Sequence, residues 1–194
     1  MSLTLPCRSN DDAFGAMIRT GPVASETSPN WRLFLGVGYE NKKIAVFFGA
    51  DMNVSAYTNG VNDRCEDLIL NLSGIALDLG YKLIDMGSDF TFTIGSGFAW
   101  KTISYQAGSS SSFTPSLTLL NIQENPLGNE VHFGYTPYTQ VEYRVSDGFA
   151  VLTRFGYDLN VGPDYQDITA SSVSGFFLQL GFKIEFSPND KVEI

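Results

Sequence analysis

Apolar and polar residues alternate with period two through most of this chain. In residues 43–55 one face reads Ile44, Val46, Phe48, Ala50, Met52 and Val54, and the other reads Lys43, Ala45, Phe47, Gly49, Asp51, Asn53 and Ser55. Successive strand side chains point to opposite sides, so this pattern predicts a long two-faced β-strand. It recurs in residues 31–40, 90–101, 131–144, 149–160 and 175–186, with a weaker run at 13–20. Residues 66–82 carry it with a change of phase. Leu68, Leu70 and Leu72 share one parity, whereas Leu77, Leu79 and Tyr81 share the other. A bulge near Ser73-Gly74 would reconcile the two halves.

Eight such strands make the connections alternate in length. Residues 21–30, 58–65, 105–129 and 162–170 form long polar segments, and the turns near Asn41, Met86 and Ser146-Asp147-Gly148 are short. The apolar stretch Ser116–Gln123 is placed in the third long loop, because a ninth strand would break the alternation. The expected fold class is all-β: an eight-stranded antiparallel up-and-down barrel over residues 12–187, with tails at 1–11 and 188–194. Long loops at one end and short turns at the other are the layout of a transmembrane barrel.

Composition decides which face would meet lipid. Only 17% of residues are charged, against ~25% in ordinary soluble domains. No run reaches the ~20 apolar residues of a spanning helix. The polar face is crowded with Gly36, Gly38, Gly49, Gly95, Gly97, Gly134, Gly156 and Gly181. Glycine adds little to a solvated strand but fits the narrow interior of eight strands. Charges of both signs share that face: Arg19, Arg32, Lys43, Lys82, Lys101, Arg144, Arg154 and Lys183 against Glu40, Asp51, Asp78, Glu142, Asp158 and Glu185. Buried charges must be paired. Arg32, Asp51, Glu142, Arg144, Arg154, Asp158, Lys183 and Glu185 are therefore expected to form an interior charge network. The apolar face places Trp31, Tyr39, Phe90, Trp100, Tyr143, Phe149, Tyr157 and Phe186 near segment ends, as in the aromatic girdles of membrane barrels. The alternative is a soluble, lipocalin-like carrier of a hydrophobic ligand, which has the same alternation with the faces exchanged.

At this point the chain resembles the small eight-stranded outer-membrane barrels of bacteria. Residues 179–186 (QLGFKIEF) look like the assembly signal of those proteins: polar, any, Gly, two of any type, apolar, any, aromatic. Here the aromatic Phe186 is followed by residues 187–194. Residues 13–21 (AFGAMIRTG) resemble the first strand of the OmpW family. The resemblance implies an outer-membrane location with any export signal removed, a monomer in contact with the lipid bilayer, and recognition by the outer-membrane assembly machinery. The OmpW likeness implies passage or binding of small hydrophobic molecules. Met17, Phe34, Phe47, Leu152 and Phe177, apolar residues on the otherwise polar face, are the lumen candidates for that role. They equally suit a barrel plugged by its own side chains.

Enzymatic chemistry finds little support. The single histidine, His132, lies on the inward parity and is read as a satisfied interior side chain rather than part of a Ser–His–acid set. Gly95-Ser96-Gly97 lies in mid-strand, not at the strand-to-helix turn that a nucleophile elbow needs. One histidine with Cys7 and Cys65 is too small a ligand supply for a transition-metal site. No enzyme activity, cofactor or metal is expected. A net charge of −9 argues against nucleic acid as a partner. The long segments carry Glu26, Asp63, Glu66, Asp67, Glu124, Glu130, Asp164 and Asp167, which would make the loop-side rim acidic. A surface barrel that binds host or envelope partners through these loops is the second functional reading.

Overall fold

The computed structural model describes residues 12–25, 30–57, 67–85, 89–108, 128–146, 148–164 and 169–186. Eight strands follow in chain order: β1 (Asp12–Ala24), β2 (Asn30–Asn41), β3 (Ile44–Tyr57), β4 (Asp67–Asp85), β5 (Phe90–Gly108), β6 (Gly128–Ser146), β7 (Phe149–Val161) and β8 (Gly175–Phe186). A short 3-10 helix, Ala170–Val173, leads into β8. Each strand pairs antiparallel with its sequence neighbours, and β8 pairs with β1, so the sheet is a closed barrel. Closure leaves no free strand edge.

The register fixes the tilt. From Val151 the pairing runs through Phe182, Ile18, Leu35, Ala50, Ile75, Trp100 and Phe133, and returns to β7 at Val161. One circuit therefore climbs ten residues. At ~3.3 Å per residue and ~4.8 Å between strands, that stagger tilts the strands by about 40° and raises the chain by about 25 Å. On the short-turn side, Phe14 packs on Tyr39 and Phe90 on Tyr143, with ring centroids 5.7 and 4.7 Å apart. On the loop side, Phe176 packs on both Phe155 and Tyr157. Ile18, Leu35, Val37, Phe48, Leu77 and Leu180 are exposed between these rings.

Two short turns are set by local chemistry. The Asn41 side-chain oxygen accepts from the backbone N–H groups of Lys43 and Ile44, both at 2.8 Å, which closes the β2–β3 turn. Between β6 and β7, Gly148 takes a φ of 81°, a conformation that other residues rarely adopt.

The phase change in residues 66–82 has a different origin from the expected bulge. Pairing of β4 with β3 and β5 runs without a shift through Ser73-Gly74; the irregularity lies at Lys82/Ile84 instead. Parity is constant and polarity inverts. Leu70, Leu72 and Ile103 point into the barrel and are buried, while Ser73 is exposed outside and Asn71 and Thr102 are partly so. On β4 and β5 the inner and outer faces exchange character at the same level. Below it lie the outer pair Ile75/Trp100 and the inner pair Gly74/Lys101; above it lie the outer pair Ser73/Thr102 and the inner pair Leu72/Ile103.

The strands also run further than expected into the long connections. Gly21–Ala24 belongs to β1, β5 continues to Gly108 and β6 begins at Gly128. Segment 116–123, Cys7, Cys65 and the expected tails at 1–11 and 188–194 lie outside the described residues.

Candidate functional site

The inward-pointing side chains form three stacked layers of charge. Each layer joins strands from different sides of the barrel.

The layer nearest the short turns centres on Lys183 of β8. Its Nζ lies 2.6 Å from Glu40 Oε1 (β2), 2.5 Å from Glu142 Oε1 (β6) and 2.8 Å from Glu185 Oε1 (β8). Lys82 approaches Glu40 at 3.5 Å and Arg144 approaches Glu185 at 3.9 Å, so three cations face three carboxylates. The carboxylates lie close enough together to hold a metal ion. However, the Lys183 ammonium already stands at hydrogen-bonding distance from all three.

The middle layer has two cations on one acid. Asp78 Oδ2 (β4) accepts from Arg19 Nη2 (β1) and from Arg154 Nη1 (β7), the latter at 2.8 Å. Arg19 Nε donates to Gln179 Oε1 at 3.1 Å, and Arg154 donates twice to Gln140 Oε1 at 3.0 and 2.9 Å. Each guanidinium also lies over an aromatic face: Arg19 over Phe34 at 3.7 Å and Arg154 over Tyr138 at 3.6 Å. These stacked faces and amide oxygens supply the negative potential that a single carboxylate leaves short.

The upper layer is balanced. Arg32 (β2) makes a bidentate pair with Asp51 (β3), both bonds at 2.8 Å, and reaches Asp158 (β7) at 3.2 Å. Lys101 (β5) bridges Asp51 at 3.0 Å and Asp158 at 3.2 Å. Thr136 Oγ1 (β6) donates to Asp158 at 2.9 Å. Arg32, Asp51, Lys101 and Asp158 are all buried. Buried ions at this density are tolerable only because each one meets opposite charge and further hydrogen bonds.

Glycine makes room for the layers. A Cβ on Gly36 would stand 2.5 Å from the Phe34 ring, and one on Gly95 would stand 2.5 Å from the Tyr138 ring. The two aromatic rings that carry the middle-layer guanidiniums thus lie in hollows left by missing side chains.

Of the apolar lumen candidates, Met17, Phe34, Phe47 and Leu152 gather with Ala76 and Ala99 into one buried cluster. Phe177 lies apart, with Val23 and Tyr138. All five are at most 4% exposed, so they fill space and leave no open lining. Lys43, counted on the inward face from its parity, stands exposed in the β2–β3 turn, one residue before β3 begins. The His132 ring is buried on the lumen side against Gly162. Sequence reasoning misses Tyr138, although its parity with His132, Thr136 and Gln140 marks it as inward. It also misses Leu70, Leu72 and Ile103, because it assigns apolar residues outward.

No family model matches the chain, and no curated protein matches it. Solved structures do. Neisserial surface protein A superposes with a TM-score of 0.55 at 13% identity, over 91% of this chain and 97% of its own. A major outer membrane protein from Thermus thermophilus gives a TM-score of 0.53 at 12% identity, over 90% of this chain and 99% of its own. At such identities the likeness shows the fold: a closed, eight-stranded antiparallel barrel of the kind found in small outer-membrane proteins.

Proposed function

We propose that the chain is an integral outer-membrane protein whose barrel is a plugged anchor, built to present its loop-side rim rather than to conduct. The three layers of cross-lumen ion pairs carry this reading. A solute moving along the axis would have to part Lys183 from three glutamates, Asp78 from two arginines, and the Arg32–Asp51–Lys101–Asp158 set. Breaking a single buried pair costs about 3–5 kcal/mol, so three in series make a large barrier. The membrane part of the reading rests on the outer belt of exposed Ile, Leu, Val and Phe, bounded by aromatic rings as in the apolar bands of such barrels. In this reading the protein is a monomer, and residues 179–186 address it to the assembly machinery.

Passage of small hydrophobic molecules, the role that the OmpW-like first strand implies, finds weaker support. Met17, Phe34, Phe47 and Leu152 could receive an apolar solute only by giving up packing against one another and against Arg19. Planar-bilayer recording decides between the two. A plugged anchor gives no sustained current at any holding voltage. Steady single-channel conductance, blocked by a detergent-like ligand, would overturn the proposal in favour of passage. Purification without detergent as a monodisperse monomer would defeat both and favour a soluble carrier.

A further inference from the structure

The middle layer of the lumen is one negative charge short. Arg19 and Arg154 share Asp78, whereas the layer on the short-turn side sets three cations against three carboxylates and the upper layer sets two against two. The acids of those layers bond their own cations, so among the described residues Asp78 alone makes ion pairs with these two guanidiniums. Phe34, Tyr138 and the oxygens of Gln140 and Gln179 add partial charges but no full one. Beside this excess stands an unused donor. Gln179 lies on β8 opposite Arg154 of β7, and its Oε1 accepts from Arg19 Nε at 3.1 Å. That bond fixes which way the amide points, because the reverse would set one N–H against another. Gln179 Nε2 is then buried with no hydrogen-bond partner among the described residues. On the β1 side its neighbour is Gly21, which puts no side chain beside it.

Resting on the closed lumen described above, we propose that a chloride ion is resident beside Gln179 and the two guanidiniums, accepting the Nε2 hydrogen bond and supplying the charge that the middle layer lacks. The chemistry selects the occupant. The unmet group is a donor, so the occupant must accept. The excess charge is positive, and a buried charge is tolerable only when paired, so an anion fits better than water. Arg19, Phe34, Arg154, Phe177 and Gln179 are at most 2% exposed, so the ion must be small and shed its water. A carboxylate or phosphate would bring several oxygens, each needing a donor that this layer has already spent.

The test folds the full chain into phosphatidylcholine vesicles and unfolds it in urea, in sodium chloride or sodium gluconate at equal ionic strength. Once chloride exceeds its dissociation constant, each tenfold rise should lower the unfolding constant about tenfold, and gluconate should leave it unchanged. Gln179→Glu keeps the acceptor for Arg19 and adds the missing negative charge, so it should unfold at the same urea midpoint in both salts. Arg154→Met removes the excess cation and should lose the chloride response too, which keeps the test open should Gln179→Glu fail to fold. Thr153→Val, exposed on the outer face of β7, should keep the response in full. In crystals grown with bromide, an anomalous peak is expected at hydrogen-bonding distance from Gln179 Nε2. Equal stability of the unaltered chain in the two salts, a chloride response that survives both substitutions, or a water only at Nε2 would each overturn the resident ion. Sustained bilayer current would instead overturn the closed lumen on which the inference rests.

Discussion

Replacing Asp78 by Asn removes the carboxylate that Arg19 and Arg154 share. Both guanidiniums are nearly inaccessible to solvent, at 1% and 2% exposure. In Asp78→Asn they would keep the Gln179 and Gln140 oxygens and their stacking on Phe34 and Tyr138, but no anion would remain between them. Removing one partner of a buried pair costs about 3–5 kcal/mol, and here two cations are stranded together, so the upper end of that range is expected. Arg154→Met is the informative contrast. It leaves Asp78 and Arg19 as a one-to-one pair and removes the local excess of positive charge. Its main penalty is the loss of Gln140's donors, about 1–3 kcal/mol, partly offset by the apolar side chain. Equilibrium unfolding of the three proteins in urea, from the same lipid vesicles, measures both differences. Asp78→Asn should lose at least about twice the stability that Arg154→Met loses. Equal losses, or a greater loss for Arg154→Met, would refute the claim that charge balance, rather than packing alone, governs the middle layer.

Two further outcomes follow from the geometry. Gly36→Val should destabilise the barrel by about 1–3 kcal/mol in the same unfolding assay, because its Cβ meets the Phe34 ring at 2.5 Å and would push that ring out from under Arg19; an unchanged midpoint would show that Phe34 has room to move. Arginine placed along the outer face of β4 should report the height of the belt: Leu77→Arg costs about 2–4 kcal/mol of folding into vesicles and Ser73→Arg about 0–1, and equal costs at the two sites would contradict the boundary between Ile75 and Ser73.

Much of the barrel is readable from parity. Where one face is apolar and the other is Gly-rich with mixed charge, inward and outward residues can be told apart one by one, and Arg32, Asp51, Arg154, Asp158 and Lys183 all stand on the inward side. Parity carries no information about partners. Asp78 serving two arginines, or Lys183 serving three glutamates, depends on the stagger of ten residues that brings distant strands to one level. That stagger accumulates from eight separate registers, none of which a single strand's pattern contains. Strand ends are equally hidden: Lys43 has the right parity and falls in the turn because Asn41 caps the N–H groups that follow it.

The phase change in β4 shows what alternation measures. A period-two pattern reports a difference between the environments of two faces, and its sign reverses either when the backbone slips by one residue or when the environments exchange. In β4 the backbone does not slip, so the environments must exchange. Below Gly74 the outside is the apolar side of β4 and β5; above it, their apolar side faces inward through Leu70, Leu72 and Ile103, next to Asn53 of β3 and Glu130 of β6. An ordinary soluble barrel keeps water outside along its whole length and gives no reason for such a reversal. A barrel that emerges from lipid into water does, since its projecting sheet must acquire a conventional core. The same reversal between Trp100 and Thr102 on the paired strand marks one level on two strands, which a local bulge in β4 would not produce. The reversal therefore belongs to β4 and β5, where it is an exchange of environments rather than a slip of the backbone; at the same level β3 and β6 keep Val54 and Val131 on the outward side.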